Sequence, residues 1–327
     1  MQIVLVDVDH TGFPNLALMK LSTYHRRQGD DVMLMRDGRL PLGAARIYAS
    51  AVFSWNREKA LALEALGANV GGSGVSLSRV LPAEVEALPP DYSLYGIDYG
   101  LGYLMRGCIW TCAFCVVPQK EGKPREVATI DQLLNTSSQR RRPFVVLLDN
   151  EFFWRERWAI ARLEEFTARG IDWCPSQGLD VRVLTSELAN ALAASPFWNL
   201  KRTRRQITFA FDDVATERRY RRGVELLLAA GIKPWQLQSF VLVGFNSTLA
   251  QDLGRIAIIR EYGIDPFVMI YRDSLTGEAR TAPALRDLAR WVNRRLCRVC
   301  AFRDYVPNLR GPTRPSSLCR TMVPSVQ

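Results

Sequence analysis

Cys108-Ile109-Trp110-Thr111-Cys112-Ala113-Phe114-Cys115 sets three cysteines in one short stretch, at a C-x3-C-x2-C spacing. Thiolates this close along the chain can close on one metal centre, whereas a tetrahedral zinc site or a four-iron cluster needs a fourth ligand. No other Cys or His stands near the stretch, since His10 and His25 both fall close to the start of the chain. A metal left one protein ligand short is open to a substrate or cofactor. Residues 102–106, immediately before the cysteines, read as a strand.

Outward from there the pattern repeats. Strand-like runs at 102–106, 143–148, 173–177, 206–210, 238–243 and 267–271 alternate with helical ones. The helices predicted over 155–169, 214–230 and 249–262 each stop at a glycine, Gly170, Gly231 and Gly263, and an apolar run follows each. Six βα units are too few for a closed eight-stranded barrel and enough for an open, partial one, with its chemistry at the C-terminal ends of the strands. Polar residues do follow the strands: Asp149-Asn150-Glu151 the second, Gln177-Gly178-Leu179-Asp180-Val181-Arg182 the third, Asp212-Asp213 the fourth, Gly244-Phe245-Asn246 the fifth and Arg272-Asp273 the sixth.

C-x3-C-x-aromatic-C at the end of the first strand of such a barrel, with Phe114 as the aromatic, resembles the radical S-adenosylmethionine superfamily. The likeness covers about residues 99–272, and Arg106-Gly107 before the cysteines and Val116-Val117-Pro118 and Gly122 after them add to it. It implies an enzyme in which Cys108, Cys112 and Cys115 hold three irons of a [4Fe-4S] cluster. S-adenosylmethionine then chelates the fourth iron and is split reductively to a 5′-deoxyadenosyl radical. It further implies cofactor contacts at Phe114, at Asp149 and Asn150 for the methionine amino group, at Asp180 and Arg182 for ribose hydroxyls and methionine carboxylate, and at Gly244 near adenine. Each polar stretch also has a plain reading, as an Asx turn, a helix cap or a loop ion pair. No general base is nominated, and an external flavodoxin- or ferredoxin-like electron donor is implied.

The first 90 residues read as a small open α/β, Rossmann-like domain: a strand at 3–6, a helix at 16–28 ending at Gly29, and strands at 32–35 and 46–53. Pro89-Pro90 marks its seam with the barrel, expected over 99–275, and residues 276–327 form a C-terminal helix and basic extension. The leading domain resembles the cobalamin-binding domains that precede many radical S-adenosylmethionine domains. Its His10 has Val8 two positions back and Phe13 three positions on, so the D-x-H-x-x-G signature is not met, and no cobalamin, or none with a His ligand, is expected. Gly71-Gly72-Ser73-Gly74 reads as a turn or the remnant of a cofactor-tail loop.

Composition sets the outer bounds. The 327 residues are 48% hydrophobic and 23% charged, which excludes a disordered, collagen-like or coiled-coil chain. Seven cysteines are too few for a disulfide scaffold, no run is long enough to span a bilayer, and the start carries no secretory signal, so a cytoplasmic protein is expected. Net charge is +10, with only six lysines among 43 basic residues. Residues 291–327 hold seven arginines against the single Asp304, interleaved with aromatics and prolines, and suit a nucleic-acid partner. Cys297, Cys300 and Cys319 in that region are either reduced structural thiols or a second metal site. Basic charge makes nucleic acid or a nucleotide the first substrate expected and a small metabolite or peptide the second. The alternative from another class is a non-catalytic, zinc-containing nucleic-acid-binding protein.

Overall fold

The chain opens with β1 (Gln2–Asp7), α1 (Leu16–Arg27), β2 (Asp31–Met35), β3 (Arg46–Ser50), α2 (Arg57–Ala65) and β4 (Asn69–Gly71), in a computed structural model that describes residues 1–36, 46–138, 140, 142–274, 276–279 and 282–306. The four strands pair in the order β2-β1-β3-β4, all parallel. A strand alternates its side chains between two faces, and both faces of β1 are covered. Ile3 and Leu5 pack with Leu18 and Leu21 of α1, while Val4 and Val6 pack with Ala60 and Leu63 of α2. An uninterrupted apolar strand is the consequence. Asn15 starts α1 by accepting from the Leu18 amide, and its own amide donates to Ser50 Oγ at 2.9 Å, tying the helix start to the end of β3. The small open α/β sheet expected here is present, with β3 three residues shorter than its predicted end.

Next come α3 (Ala83–Glu86), β5 (Gly100–Gly102), β6 (Met105–Arg106), α4 (Val117–Lys120), β7 (Arg125–Glu126), α5 (Ile130–Leu133), β8 (Phe144–Leu147), α6 (Glu156–Ala168), β9 (Asp172–Pro175) and α7 (Ser186–Ala194). β5, β8 and β9 form a parallel sheet in that order, and β6 pairs antiparallel with β7. The run expected as one strand over 102–106 is therefore two, because the chain leaves the sheet after Gly102 to build the short β6–β7 ladder. The last elements are β10 (Ile207–Ala210), α8 (Glu217–Ala229), β11 (Leu237–Val243), α9 (Leu249–Glu261), β12 (Asp265–Ile270) and α10 (Pro283–Asn293), with sheet order β10-β11-β12. The strands of the expected six-unit barrel are thus divided between two three-stranded sheets.

The chain divides into two compact units. The first comprises Met1–Asp180, Thr185–Ile207 and Arg272–Glu278; the second comprises Val181–Leu184, Thr208–Tyr271 and the described residues from Ala279 on. No break falls at Pro89-Pro90, the predicted seam. Thr23 Oγ1 donates to the Pro89 carbonyl, the Asp91 amide donates to the Met19 carbonyl, and Met19 shares a hydrophobic cluster with Leu101, Phe144 and Val146. Helix α1 thereby packs the leading sheet onto the β5-β8-β9 sheet.

In the second unit Phe211 stacks on Tyr220 at 4.3 Å, and the backbone of Gly223 lies so near the Val181 carbonyl that a Cβ would stand 2.1 Å from it. The free edge of β12 is closed by Asn293 of α10, whose side-chain amide accepts from the Val268 amide and donates to the Val268 carbonyl. Among the described residues no helix is long and apolar enough to cross a membrane.

Candidate metal centre

Residues 107–124 form an excursion between β6 and β7 that carries all three clustered cysteines. Its approach is tightly built. Gly100 and Gly102 lie against α5, where a Cβ would stand 2.1 Å from the Leu133 carbonyl oxygen and 2.6 Å from the Leu133 side chain. The neck is pinned in three ways. The Cys108 amide donates to the Gly122 carbonyl at 3.3 Å, and Arg106 pairs with Glu121. Gly107, at φ +88°, presses on Lys123, where a Cβ would meet the carbonyl oxygen at 2.3 Å; both its backbone conformation and its space require glycine.

Cys108, Cys112 and Cys115 are half-buried and form no disulfide. The Trp110 amide donates to Cys108 Sγ at 3.4 Å, and the Cys115 amide to the Cys112 carbonyl at 3.0 Å. Burial pushes the Cys108 thiol up to about 11, and the neighbouring Glu151, Cys115 and Cys112 add to the rise. A thiolate there needs a nearby positive charge, which a metal supplies. Three soft donors in one loop fit an iron–sulfur cluster by chemistry. Among the described residues no three His, Cys, Asp or Glu side chains stand grouped as they would around a metal, so the thiols share a loop without being gathered.

The second strand's polar stretch turns toward this loop. Asp149, buried, accepts at Oδ1 from the amides of Leu104 at 2.8 Å and Met105 at 3.3 Å, while its Oδ2 is buried with no hydrogen-bond partner. Burial pushes its carboxyl up to about 8, against the opposing effect of the two amides. Asn150 Oδ1 accepts from the Gly107 amide at 2.9 Å, and the Glu151 amide donates to Met105 Sδ. The other predicted contacts are dispersed. Phe114 is half-buried in the cysteine loop, and Asp180 is half-buried and belongs to the first unit, whereas Arg182 and Gly244 (φ +81°) belong to the second.

Cys174 on β9 lies in the apolar cluster with Met19 and Leu101, its thiol pushed up to about 12 by burial. Cys297 is buried in the short turn after α10 and Cys319 lies outside the described residues, while Cys300 is half-buried and disulfide-bonded, so it is neither the reduced thiol nor the metal ligand expected from the sequence. A cleft lined by Pro90, Tyr92, Ile97, Asn135 and Ser138 contains none of the predicted site residues.

One pair that sequence reasoning missed is Asp252 and Arg255, both fully buried and 2.6 Å apart. Arg255 donates to the Phe211 and Leu242 carbonyls at the ends of β10 and β11, just before Gly244. The available signal was two opposite charges three residues apart on an otherwise apolar helix face.

At the crest of the leading sheet, Asp9 accepts from the amides of Val52 and Phe53 and from Asn56 Nδ2. Gly72 and Gly74 press on the backbones of Ala51 and Phe53, and Arg272 lies over the Trp55 ring at 4.8 Å. His10 is exposed and left-handed, at φ +47°.

The fold is shared with a radical S-adenosylmethionine methyltransferase. TsrM from Kitasatospora setae, whose structure holds cobalamin and a [4Fe-4S] cluster, superposes with a TM-score of 0.58 at 14% identity, over 82% of this chain and 71% of TsrM. No family model and no curated relative matches. The likeness supports an α/β fold of this kind. It gives no support to the expectation that cobalamin is absent, since TsrM carries it.

Proposed function

We propose that this chain is a radical S-adenosylmethionine enzyme, with Cys108, Cys112 and Cys115 as the protein ligands of a [4Fe-4S] cluster. The observation that carries the reading is the loop itself: three half-buried cysteines outside any disulfide, at C-x3-C-x2-C spacing, on an excursion whose neck is clamped by Gly107, Gly122 and the Arg106–Glu121 pair. The fold shared with TsrM supports it. When bound, the cluster supplies the electron that cleaves S-adenosylmethionine to methionine and a 5′-deoxyadenosyl radical, which takes a hydrogen atom from the substrate. The protein's part is to hold three thiolates in a partly shielded loop and to leave the fourth iron open. Phe114, Asp180, Arg182 and Gly244 remain proposed cofactor contacts. Nucleic acid or a nucleotide is the first substrate class and a small metabolite or peptide the second, with reduction by a flavodoxin- or ferredoxin-like donor.

The test is anaerobic reconstitution with iron and sulfide, followed by dithionite and S-adenosylmethionine. Brown protein that releases 5′-deoxyadenosine is expected, with colour and product both lost in the Cys108→Ala/Cys112→Ala/Cys115→Ala variant. Iron remaining in that variant would show that the bound iron is not held by these three cysteines. A colourless zinc protein that yields no 5′-deoxyadenosine would overturn the reading in favour of a zinc-containing nucleic-acid-binding protein.

A further inference from the structure

We infer that Asn150, assisted by Asp149, is a positioning residue that holds the neck of the cysteine loop. This rests on the reading of that loop as the cluster site. β5 and β8 pair in parallel as far as Gly102 and Leu147, and the Leu148 amide still reaches the Gly102 carbonyl at 2.8 Å. Beyond that point the first strand turns away to form β6, and its backbone amides lose the carbonyls a longer β8 would have offered them. Backbone donors in a protein interior need acceptors. Here side chains take over the ladder in sequence: Asp149 Oδ1 accepts from Leu104 and Met105, and Asn150 Oδ1 from Gly107 at 2.9 Å.

Gly107 immediately precedes the first cysteine, and it is the residue whose left-handed turn and contact with Lys123 set the direction of the loop. A bond to its amide therefore fixes where Cys108 starts. The side-chain oxygen that would otherwise be offered to a cofactor is directed at the chain's own backbone. Asn150 thus acts on the metal centre through Gly107 and makes no contact with the reacting atoms.

Amide hydrogen exchange on the metal-free chain tests this without any cluster. In the unaltered protein the Gly107 amide should exchange slowly for a residue at the mouth of a loop. In Asn150→Ala it should exchange about tenfold faster, the effect of losing one hydrogen bond. Asn150→Asp, which keeps an oxygen in place, should restore slow exchange. In reconstituted protein, Asn150→Ala should release iron to a chelator several-fold faster, with S-adenosylmethionine affinity changed less than the release rate. Fast exchange at Gly107 in the unaltered chain would overturn the inference even if Asn150→Ala did not fold. So would unchanged exchange and iron release in that variant accompanied by lost S-adenosylmethionine affinity, which would make Asn150 a cofactor contact. A chain that takes up no iron would defeat the cluster reading and leave the exchange result to decide the role of Asn150.

Discussion

Asp149 combines full burial with an acidic side chain, and only one of its oxygens is hydrogen-bonded. Burial pushes the folded carboxyl up to about 8 from an ordinary 3.8, so the folded state takes up a proton that the unfolded state has already lost. The stability this group contributes is full below pH 3.8 and is lost as the pH rises toward 8. Asn in its place keeps the Oδ1 acceptor for Leu104 and Met105 and puts a neutral group at the orphaned position. Urea denaturation of the metal-free protein should therefore show a flatter dependence on pH between about 4 and 8 in Asp149→Asn than in the unaltered chain. Parallel profiles would show that the carboxyl is ionised in the folded state. At this scale the sequence was legible where the relevant spacing was local. Cys108, Cys112 and Cys115 lie within one turn-rich stretch, and the polar residues after β8 stood out by position alone. Their partners, Leu104, Met105 and Gly107, lie over 40 residues earlier, and no local pattern encodes which amides lose their sheet carbonyls.

Helices and strands were legible to within a few residues wherever end signals were strong. Thr248 and Gln251 form a capping box at the start of α9, and Gly170, Gly231 and Gly263, all left-handed, follow the ends of α6, α8 and α9. The first expected strand was misjudged because Tyr103, Leu104 and Met105 continue its apolar run without a turn signal, while the amides of Leu104 and Met105 are taken up by the distant Asp149 side chain. On α9, Arg255 lies wholly within the protein, bonded to Asp252 and to the closing carbonyls of β10 and β11. Removing one member of such a pair strands the other charge in a poorly solvated site. Arg255→Ala should lower the stability of the chain by about 3–5 kcal/mol in chemical denaturation. The double variant with Asp252→Ala should lose less than the sum of the two single changes. Additive losses would mean that Arg255 acts through the two carbonyls alone.

Across the whole molecule the net charge of +10 suggested a polyanion partner, and the structure shows how much of that charge is used internally. Arg142 and Arg202 both pair with the buried Asp172, Arg221 with Glu217 and Glu261, and Arg140 with Asp98. Even in the basic C-terminal region, Arg295 and Arg298 converge on Asp265, and Arg303 faces Asp304. A count of charges along a sequence cannot show this, because the acidic partners are distant in the chain. Truncating before Arg294, the obvious cut from the sequence, would also remove the buried Leu296, Cys297 and Tyr305 and so confuse charge with folding. A cut after Val306 removes only residues outside the described ones, among them Arg310, Arg314 and Arg320. If these three engage single-stranded nucleic acid, the slope of log affinity against log salt should shrink by about 2 units in the shortened chain. Fluorescence anisotropy with a labelled oligonucleotide over a salt series measures this directly. An unchanged slope would move any polyanion contact off these arginines.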